Sequence, residues 1–403
     1  KLHTIKVTTN TRLTPVEYER NVFHLEFDTT GTDFKYEIGD ALGVHGQNDP
    51  VKVLDFLRKY GASGNVNVDP DQLITVSHPA TKADYSGERF ESRSALYLFT
   101  RVLDLFGRPS KRFYEQLAHY AADPAEKEKL LHLVSKEGAD ELKERVARTV
   151  DHADLLLEFT SARPSLAHLS SLIPAIKPRH YSIASSMKVH PGSVHLLVVL
   201  VDWKIPGTNE VRYGQCTRYL VNLQPGDNVV VSVKPSVMKL PPDHRQPVIM
   251  AGLGTGMAPF RAFVEERFWL REQGHEVGPM ALYFGSRYRA SEYLYGDELE
   301  AYNHDGLLTY LRLAFSRDPG SVGPDGKKKT YIQHKMQDDS ELLHDLLLKQ
   351  NGAFYLCGPT WPAPDVRDAL LDSFSTHGGI TRDQAIVELG KLKKEERYVL
   401  EVY

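Results

Sequence analysis

Residues 251–259 read Ala-Gly-Leu-Gly-Thr-Gly-Met-Ala-Pro and close the apolar run Val248 to Ala251. A glycine loop between a strand and a helix brings backbone N–H groups to the positive end of the helix dipole, where a pyrophosphate is stabilised. The spacing is not G-x-G-x-x-G, because Met257 stands in the third glycine slot and Gly256 comes one place early. An acidic residue some twenty positions on is therefore not used to read a ribose. Taken alone, the segment favours a phosphate loop, with a plain tight turn as the lesser alternative.

Ser316-Arg317 and Lys329-Thr330-Tyr331-Ile332-Gln333 collect a guanidinium, an ammonium and hydroxyl donors downstream of that loop. A 2′-phosphate on a nucleotide calls for such groups, whereas a free ribose diol calls for a carboxylate. The neighbouring Lys327 and Lys328 read as a solvated loop. Arg179-His180-Tyr181-Ser182 offers a cation for a pyrophosphate, a ring to stack on a flavin and a hydroxyl for its edge. A solvated Arg beside a core Tyr competes with that reading. Gly214-Gln215-Cys216-Thr217 opens a helix with a small residue and a hydroxyl, which suits a diphosphate or an ordinary helix start, and Cys216 reads as a small buried hydrophobe. Cys357-Gly358-Pro359 ends an apolar strand, where a thiol could adjoin a nicotinamide or simply be buried. Tyr403 ends an apolar-alternating strand and could cap a planar ring.

The elements that must hold these groups follow from periodicity. Short β-like runs, Ile5 to Thr8 and Val22 to Phe27 among them, open the chain and resume after Pro174 with Tyr181 to Ala184, Val194 to Val201 and Val229 to Val233. Between Leu96 and Leu157 the apolar spacing is helical, which predicts an insertion into a discontinuous barrel. From Val248 onward strand and helix patterns alternate to a final strand at Arg397 to Tyr403, which predicts a parallel sheet covered on both faces. The predicted division is 1–90 and 171–240 for the barrel, 91–170 for the helical insertion and 241–403 for the α/β domain.

Composition narrows the class. With 403 residues, 41% of them hydrophobic and 25% charged, the chain can bury two or three cores. A formal net charge of -4 gives no global field for nucleic acid. Cys216 and Cys357 are too far apart for a zinc spacing and too few for a secreted disulfide scaffold, so an intracellular setting and no metal are expected. Neither a signal peptide nor an apolar run long enough to span a membrane is read. Lys1 falls within a β-like run, which predicts a natural N-terminal continuation.

Taken in order, these segments resemble the ferredoxin-NADP reductase family, and more closely its diflavin branch, over nearly the whole chain. Within the branch, Tyr36 to His45, Cys357 to Pro362 and the terminal Tyr403 are most similar to the eukaryotic sulfite reductase flavoproteins. The resemblance implies an antiparallel β-barrel FAD-binding domain with a helical insertion, followed by an α/β parallel-sheet NADP-binding domain. It implies FAD held by Arg179, Tyr181 and Ser182, by the diphosphate turn Gly214, Gln215, Cys216 and Thr217, by Trp203 near the adenine and by Tyr403. It implies NADPH held by Thr255, Ser316, Arg317, Lys329, Tyr331, Gln333 and Asp365. Ser182, Cys357 and Glu401 match the hydride-transfer set, with Tyr403 as a gate; Glu401 stands where cytochrome reductases have Asp.

The implied activity is oxidation of NADPH through FAD, with electrons passed to an FMN-binding flavodoxin-like domain or protein outside this chain. The implied outlet is a sirohaem/iron–sulfur sulfite reductase subunit in the cytoplasm. A cytochrome reductase or pyruvate:NADP oxidoreductase system, and a non-catalytic nucleotide-binding assembly subunit, are the alternatives.

Overall fold

The computed structural model describes residues 1–64, 68–78, 89–323, 325–326 and 329–403; Lys327 and Lys328, expected as a solvated loop, lie outside the described residues. The chain forms two compact units, one made of Lys1–Val44, His180–Leu200 and Leu223–Tyr403, the other of His45–Arg179 and Val201–Asn222.

The first unit holds both predicted sheets. Six strands run in the order Arg179–Ser182, Ala41–Val44, Asn228–Lys234, His3–Arg12, Val22–Asp28 and Ser193–Val199. The pairs between Ala41–Val44 and Ser193–Val199 are antiparallel. A further antiparallel bridge, Ile183 to Leu196, joins the first strand's continuation to the last strand, so the sheet closes on itself as a barrel. Closure leaves no long open edge and aims alternate side chains inward: Ile5, Val7, Leu25, Phe27, Val229 and Val231 are all buried. A register shift between Val7 and Thr9 marks a bulge in the first strand.

The second sheet is five-stranded and parallel, in the order Tyr310–Phe315, Met280–Ser286, Val248–Leu253, Ala353–Gly358 and Tyr398–Val402. Its strands read as continuous apolar runs because both faces are covered. Val248, Met250, Leu282, Phe284 and Tyr355 pack on one side with the helix Ala258–Glu272, and that core extends to Val22, Ala184 and Leu197 of the barrel. Ile249, Ala251, Tyr283, Phe354 and Leu356 face the other side, against the helices Ala363–Gly378 and Arg382–Lys394. Thr381 caps the last helix through a reciprocal pair of bonds with Gln384.

The second unit is mainly helical. Its core gathers Leu98, Phe99, Phe113, Leu117, Leu155, Leu156 and Phe159 from the stretch expected to be an insertion. The segment 45–90, grouped with the barrel on sequence, packs differently: the helix Pro50–Gly64 buries Val53, Phe56, Leu57 and Tyr60 in this helical core. The Leu73–His78 and Arg89–Ser94 strands pair only with each other among the described residues. The i, i+3, i+4, i+7 spacing of those four side chains is the apolar stripe of an amphipathic helix. Two short paired strands, Asp202–Lys204 and Val211–Tyr213, and the helix Gln215–Val221 complete the unit. Among the described residues no helix is long and apolar enough to cross a membrane.

Candidate active site

In an open parallel sheet the ligand crevice lies beyond the carboxyl ends of the strands, where the strand order reverses. The central strand Val248–Leu253 is followed in the chain by Met280–Ser286 on one side and later by Ala353–Gly358 on the other. The reversal therefore falls between Leu253 and Gly358. Gly254 there adopts φ 54, and a single 3-10 turn, Gly254–Met257, feeds the helix that starts at Ala258. The unusual glycine spacing has a packing cause. A Cβ on Gly256 would stand 2.1 Å from the Cys357 carbonyl oxygen, and one on Gly252 would press on Phe260 at 3.0 Å.

A cavity of about 390 Å³ opens at this point. Thr255, Ser316, Arg317, Lys329, Tyr331 and Tyr403, all expected on sequence, line it. Ser316 and Arg317 reach it because their backbone N–H groups continue the ladder onto the carbonyls of Ser286 and Arg287, at 3.0 and 2.9 Å. Gln333 is buried in the helix Ile332–Asp338, its Oε1 without a partner among the described residues, and does not line the cavity. Asp365 is likewise absent from the lining; it is exposed in the first turn of Ala363–Gly378, where it favours the helix dipole.

Arg20 and Arg287 also line the cavity and were not found from sequence. Arg20 comes from the loop that joins the first two barrel strands, a place with no periodic signal. The buried Glu292 carboxylate lies 3.5 Å from Arg20 and also accepts from the Tyr18 hydroxyl. Glu19 pairs with Arg287 at 2.5 Å and with Arg317 at 3.5 Å. The described lining residues include four cations, Arg20, Arg287, Arg317 and Lys329, and one acid, Glu292, while Glu19, outside the lining, pairs with two of those cations. That charge balance, with the Ser316 and Tyr331 hydroxyls, fits a phosphorylated nucleotide.

Beside the cavity, Glu401 sits opposite Cys357 in the parallel ladder. Its carboxylate accepts from Ser182 Oγ at 3.1 Å and from Ser236 Oγ at 3.0 Å, one serine on each oxygen. Glu401 therefore reaches Ser182 despite its extra methylene, and Ser236 is a partner that sequence reading missed. Burial, reinforced by the Glu401 charge, pushes the Cys357 thiol far up, so it stays protonated at neutral pH. The Tyr403 hydroxyl meets Thr255 Oγ1 at 3.0 Å and its backbone N–H bonds the Gly358 carbonyl at 3.1 Å, yet the residue is 67% exposed.

Ser182 is fixed from behind. After it the chain turns inward through Ser185, which is bonded to Tyr36 at 2.8 Å, and Ser186, which bonds Glu265 and Glu266 at 3.0 and 2.6 Å. Arg261 donates to the Ala184 carbonyl at 2.8 Å and to His195 Nδ1 at 3.1 Å. With Nδ1 accepting, His195 carries its proton on Nε2, facing Ser193 Oγ at 3.0 Å. His24, Glu26 and His195 cluster here, with His24 Nε2 3.0 Å from Glu26 Oε1.

Of the remaining expected residues, all but Tyr181 belong to the helical unit. Arg179 and Tyr181 flank the boundary of the units, Arg179 exposed and Tyr181 half-buried within the first unit. Gly214 precedes the helix that begins with Gln215, and Thr217 Oγ1 accepts from the Val201 N–H at 3.2 Å. A Cβ on Gly214 would crowd Thr217 Oγ1 and the Val201 side chain at 3.0 and 3.2 Å. Cys216 is buried, as expected. Gln215 Nε2 is a buried donor without a partner among the described residues, which fits an anionic ligand at this turn. Trp203 lines a separate cavity of about 710 Å³ and donates from Nε1 to Thr149 Oγ1 at 3.0 Å.

A closed antiparallel barrel beside a parallel sheet, with a cation-lined crevice at the strand reversal, defines a flavin- and nicotinamide-nucleotide-dependent oxidoreductase module. Residues 1–219 match the model of the FAD binding domain family and residues 250–367 that of the oxidoreductase NAD-binding domain. The chain belongs to the FAD binding domain family. It is 45% identical over 404 residues to the sulfite reductase [NADPH] flavoprotein component of Saccharomyces cerevisiae, covering 99% of this chain and 37% of that protein. The probable sulfite reductase [NADPH] flavoprotein component of Schizosaccharomyces pombe is 42% identical over 100% of this chain and 38% of its own length. The mitochondrial pyruvate dehydrogenase [NADP(+)] of Euglena gracilis is 38% identical over 99% of this chain and 21% of its own. The chain thus spans well under half of each of these relatives.

Proposed function

We propose that this chain is the FAD- and NADPH-binding part of a sulfite reductase flavoprotein. The carrying observation is that Ser182, Cys357, Glu401 and Tyr403 adjoin a crevice whose cations suit a 2′-phosphate. The two yeast relatives, whose names carry NADPH and sulfite reductase, support the same reading.

The redox chemistry, hydride uptake and one-electron release, would be supplied by bound FAD. Arg179, Tyr181, Ser182 and Tyr403 hold the flavin half, and Gly214, Gln215, Cys216, Thr217 and Trp203 the adenosine diphosphate half. Thr255 meets the NADPH diphosphate, and Ser316, Arg317, Lys329 and Tyr331 read the 2′-phosphate; Gln333 and Asp365, expected beside them, lie outside the cavity lining and carry no contact in this reading. Cys357, kept as a neutral thiol, positions the reacting carbon and does not act as a nucleophile. Glu401 holds a negative charge and the Ser182 proton near the reacting edge. Tyr403 vacates its place when the nicotinamide enters.

The functional division we propose keeps 1–90 and 171–240 with FAD, 91–170 as a connecting insertion and 241–403 with NADPH. Electrons leave to an FMN-binding flavodoxin-like domain or protein, then to a sirohaem/iron–sulfur subunit, in the cytoplasm. The similarity to a pyruvate dehydrogenase [NADP(+)] favours one other outlet, a pyruvate-oxidising partner. The test is anaerobic titration of the FAD-loaded chain with NADPH, followed by reconstitution with each class of partner. Flavin bleaching and sulfide formation are expected; a yellow protein that NADPH fails to bleach would end the assignment.

A further inference from the structure

Trp203 stands on a three-residue strand, Asp202–Lys204, paired only with Val211–Tyr213 among the described residues. A two-stranded ribbon this short is marginal by itself in water and needs an outside tether to hold one orientation. Arg212 lies directly opposite Trp203 in the register. Its Nη1 donates to the Thr149 carbonyl at 2.9 Å, to Asp151 Oδ2 at 3.0 Å and to Asp154 Oδ2 at 2.7 Å. Nη2 donates to Asp154 Oδ1 at 2.8 Å, and Nε to Glu210 Oε1 at 3.2 Å.

Thr149 connects this grip to the indole. It adopts φ 56, a left-handed conformation that a β-branched residue avoids unless its surroundings impose it. Its hydroxyl accepts from Trp203 Nε1 while its carbonyl accepts from Arg212, so one guanidinium and one indole hold the same strained residue from two sides. Asp151 and Asp154 are themselves locked in a reciprocal cap at the start of the helix His152–Glu158. Trp203, Thr149, Asp151, Asp154 and Arg212 all line the cavity of about 710 Å³. An ion pair serving stability alone would need neither the strained Thr149 nor the indole bond.

We propose that Arg212 is a positioning residue for FAD: it fixes Thr149 and Asp154 so that Trp203 presents its ring to the adenine half of the cofactor. The inference rests on the reading of Trp203 as the adenine platform. Arg212 itself need not touch the cofactor. Its planar fork suits this role better than an ammonium, because lysine cannot bond both Asp154 oxygens and the Thr149 carbonyl at once.

The test is the dissociation constant of the flavin-stripped chain for FAD and for FMN, which lacks the adenosine half, in the wild type, R212Q, R212K, W203L and R212Q/W203L. Base stacking on an aromatic ring implies that W203L weakens FAD binding by roughly 10-fold while FMN binding stays within about twofold. R212Q should weaken FAD to a similar degree, R212K by less, and neither should change FMN. The double variant should be no worse than W203L, because Arg212 acts through Trp203. Loss in W203L with unchanged FAD affinity in R212Q and R212K would overturn the proposal and leave the platform reading intact. Equal losses for FAD and FMN in the arginine variants would also overturn it, by showing general damage to the fold. Unchanged FAD affinity in W203L would remove the platform reading itself, and the proposal with it.

Discussion

The carboxylate of Glu401 accepts the hydroxyl of Ser182 at 3.1 Å, across a sequence separation of 219 residues. Ser236 holds the other oxygen at 3.0 Å, so the carboxylate cannot turn away without losing a bond. Glu401→Gln keeps the shape and removes the charge. Stopped-flow bleaching of the flavin by NADPH should slow by about 100-fold, as for loss of a positioned acid–base group. Ser236→Ala frees one oxygen and should slow it less, by about 3- to 10-fold, in line with one hydrogen bond to a charged group that water partly replaces.

Arg317 should matter to the 2′-phosphate alone. Arg317→Ala should weaken adenosine 2′,5′-bisphosphate by roughly 10- to 100-fold, the range for a lost charge-assisted hydrogen bond. NADH affinity should be unchanged. Equal weakening of NADH and NADPH would show that Arg317 supports the cavity in general.

Tyr403 is held by its neighbours through Thr255 Oγ1 and the Gly358 carbonyl while most of its surface faces solvent. Exposed groups with few partners move at low cost. Tyr403→Ala should raise flavin reduction by NADH relative to NADPH, because the nicotinamide no longer has to displace a ring. An unchanged ratio of the two rates would remove the gate.

Gly256 leaves no room for a side chain, since a Cβ would stand 2.1 Å from the Cys357 carbonyl oxygen. The obstacle is backbone at the strand reversal and cannot swing aside. Gly256→Ala should cost about 1–3 kcal/mol in urea unfolding, as overpacking against a fixed backbone does, and should weaken nucleotide binding as well.

His152 sets an acid limit on the helical unit. It is buried against Phe113, their ring centroids 4.7 Å apart, and burial lowers its pKa from 6.5 to about 4. The unfolded chain therefore takes up a proton at higher pH than the folded one does. The neutral imidazole's contribution is complete above pH 6.5 and is lost as pH falls from there toward 4. The slope is about 1.4 kcal/mol per pH unit at most for one proton. His152→Phe should flatten the difference in urea midpoint between pH 7 and pH 5; an unaltered slope would place the acid limit elsewhere.

Features that rest on local geometry can be read from the chain alone. Alternating strand and helix patterns after Val248 follow from the fixed periods of the two backbone forms, and the structure has those elements in that order. The glycine loop at 252–256 and the groups at Ser316, Arg317, Lys329 and Tyr331 were legible because their types and their place after strands state a chemistry. The helix Pro50–Gly64 is legible in the same way, from the spacing of Val53, Phe56, Leu57 and Tyr60. Other features arise from packing in three dimensions. Arg20 enters the crevice from a barrel loop, Ser236 supports Glu401, Glu19 joins Arg287 to Arg317, and Arg212 reaches Thr149. Each depends on where two loops or strand ends meet after the cores have packed. A single hydrogen bond or ion pair between distant segments leaves no repeat in the chain, because its partners are chosen by three-dimensional proximity and have no period to follow.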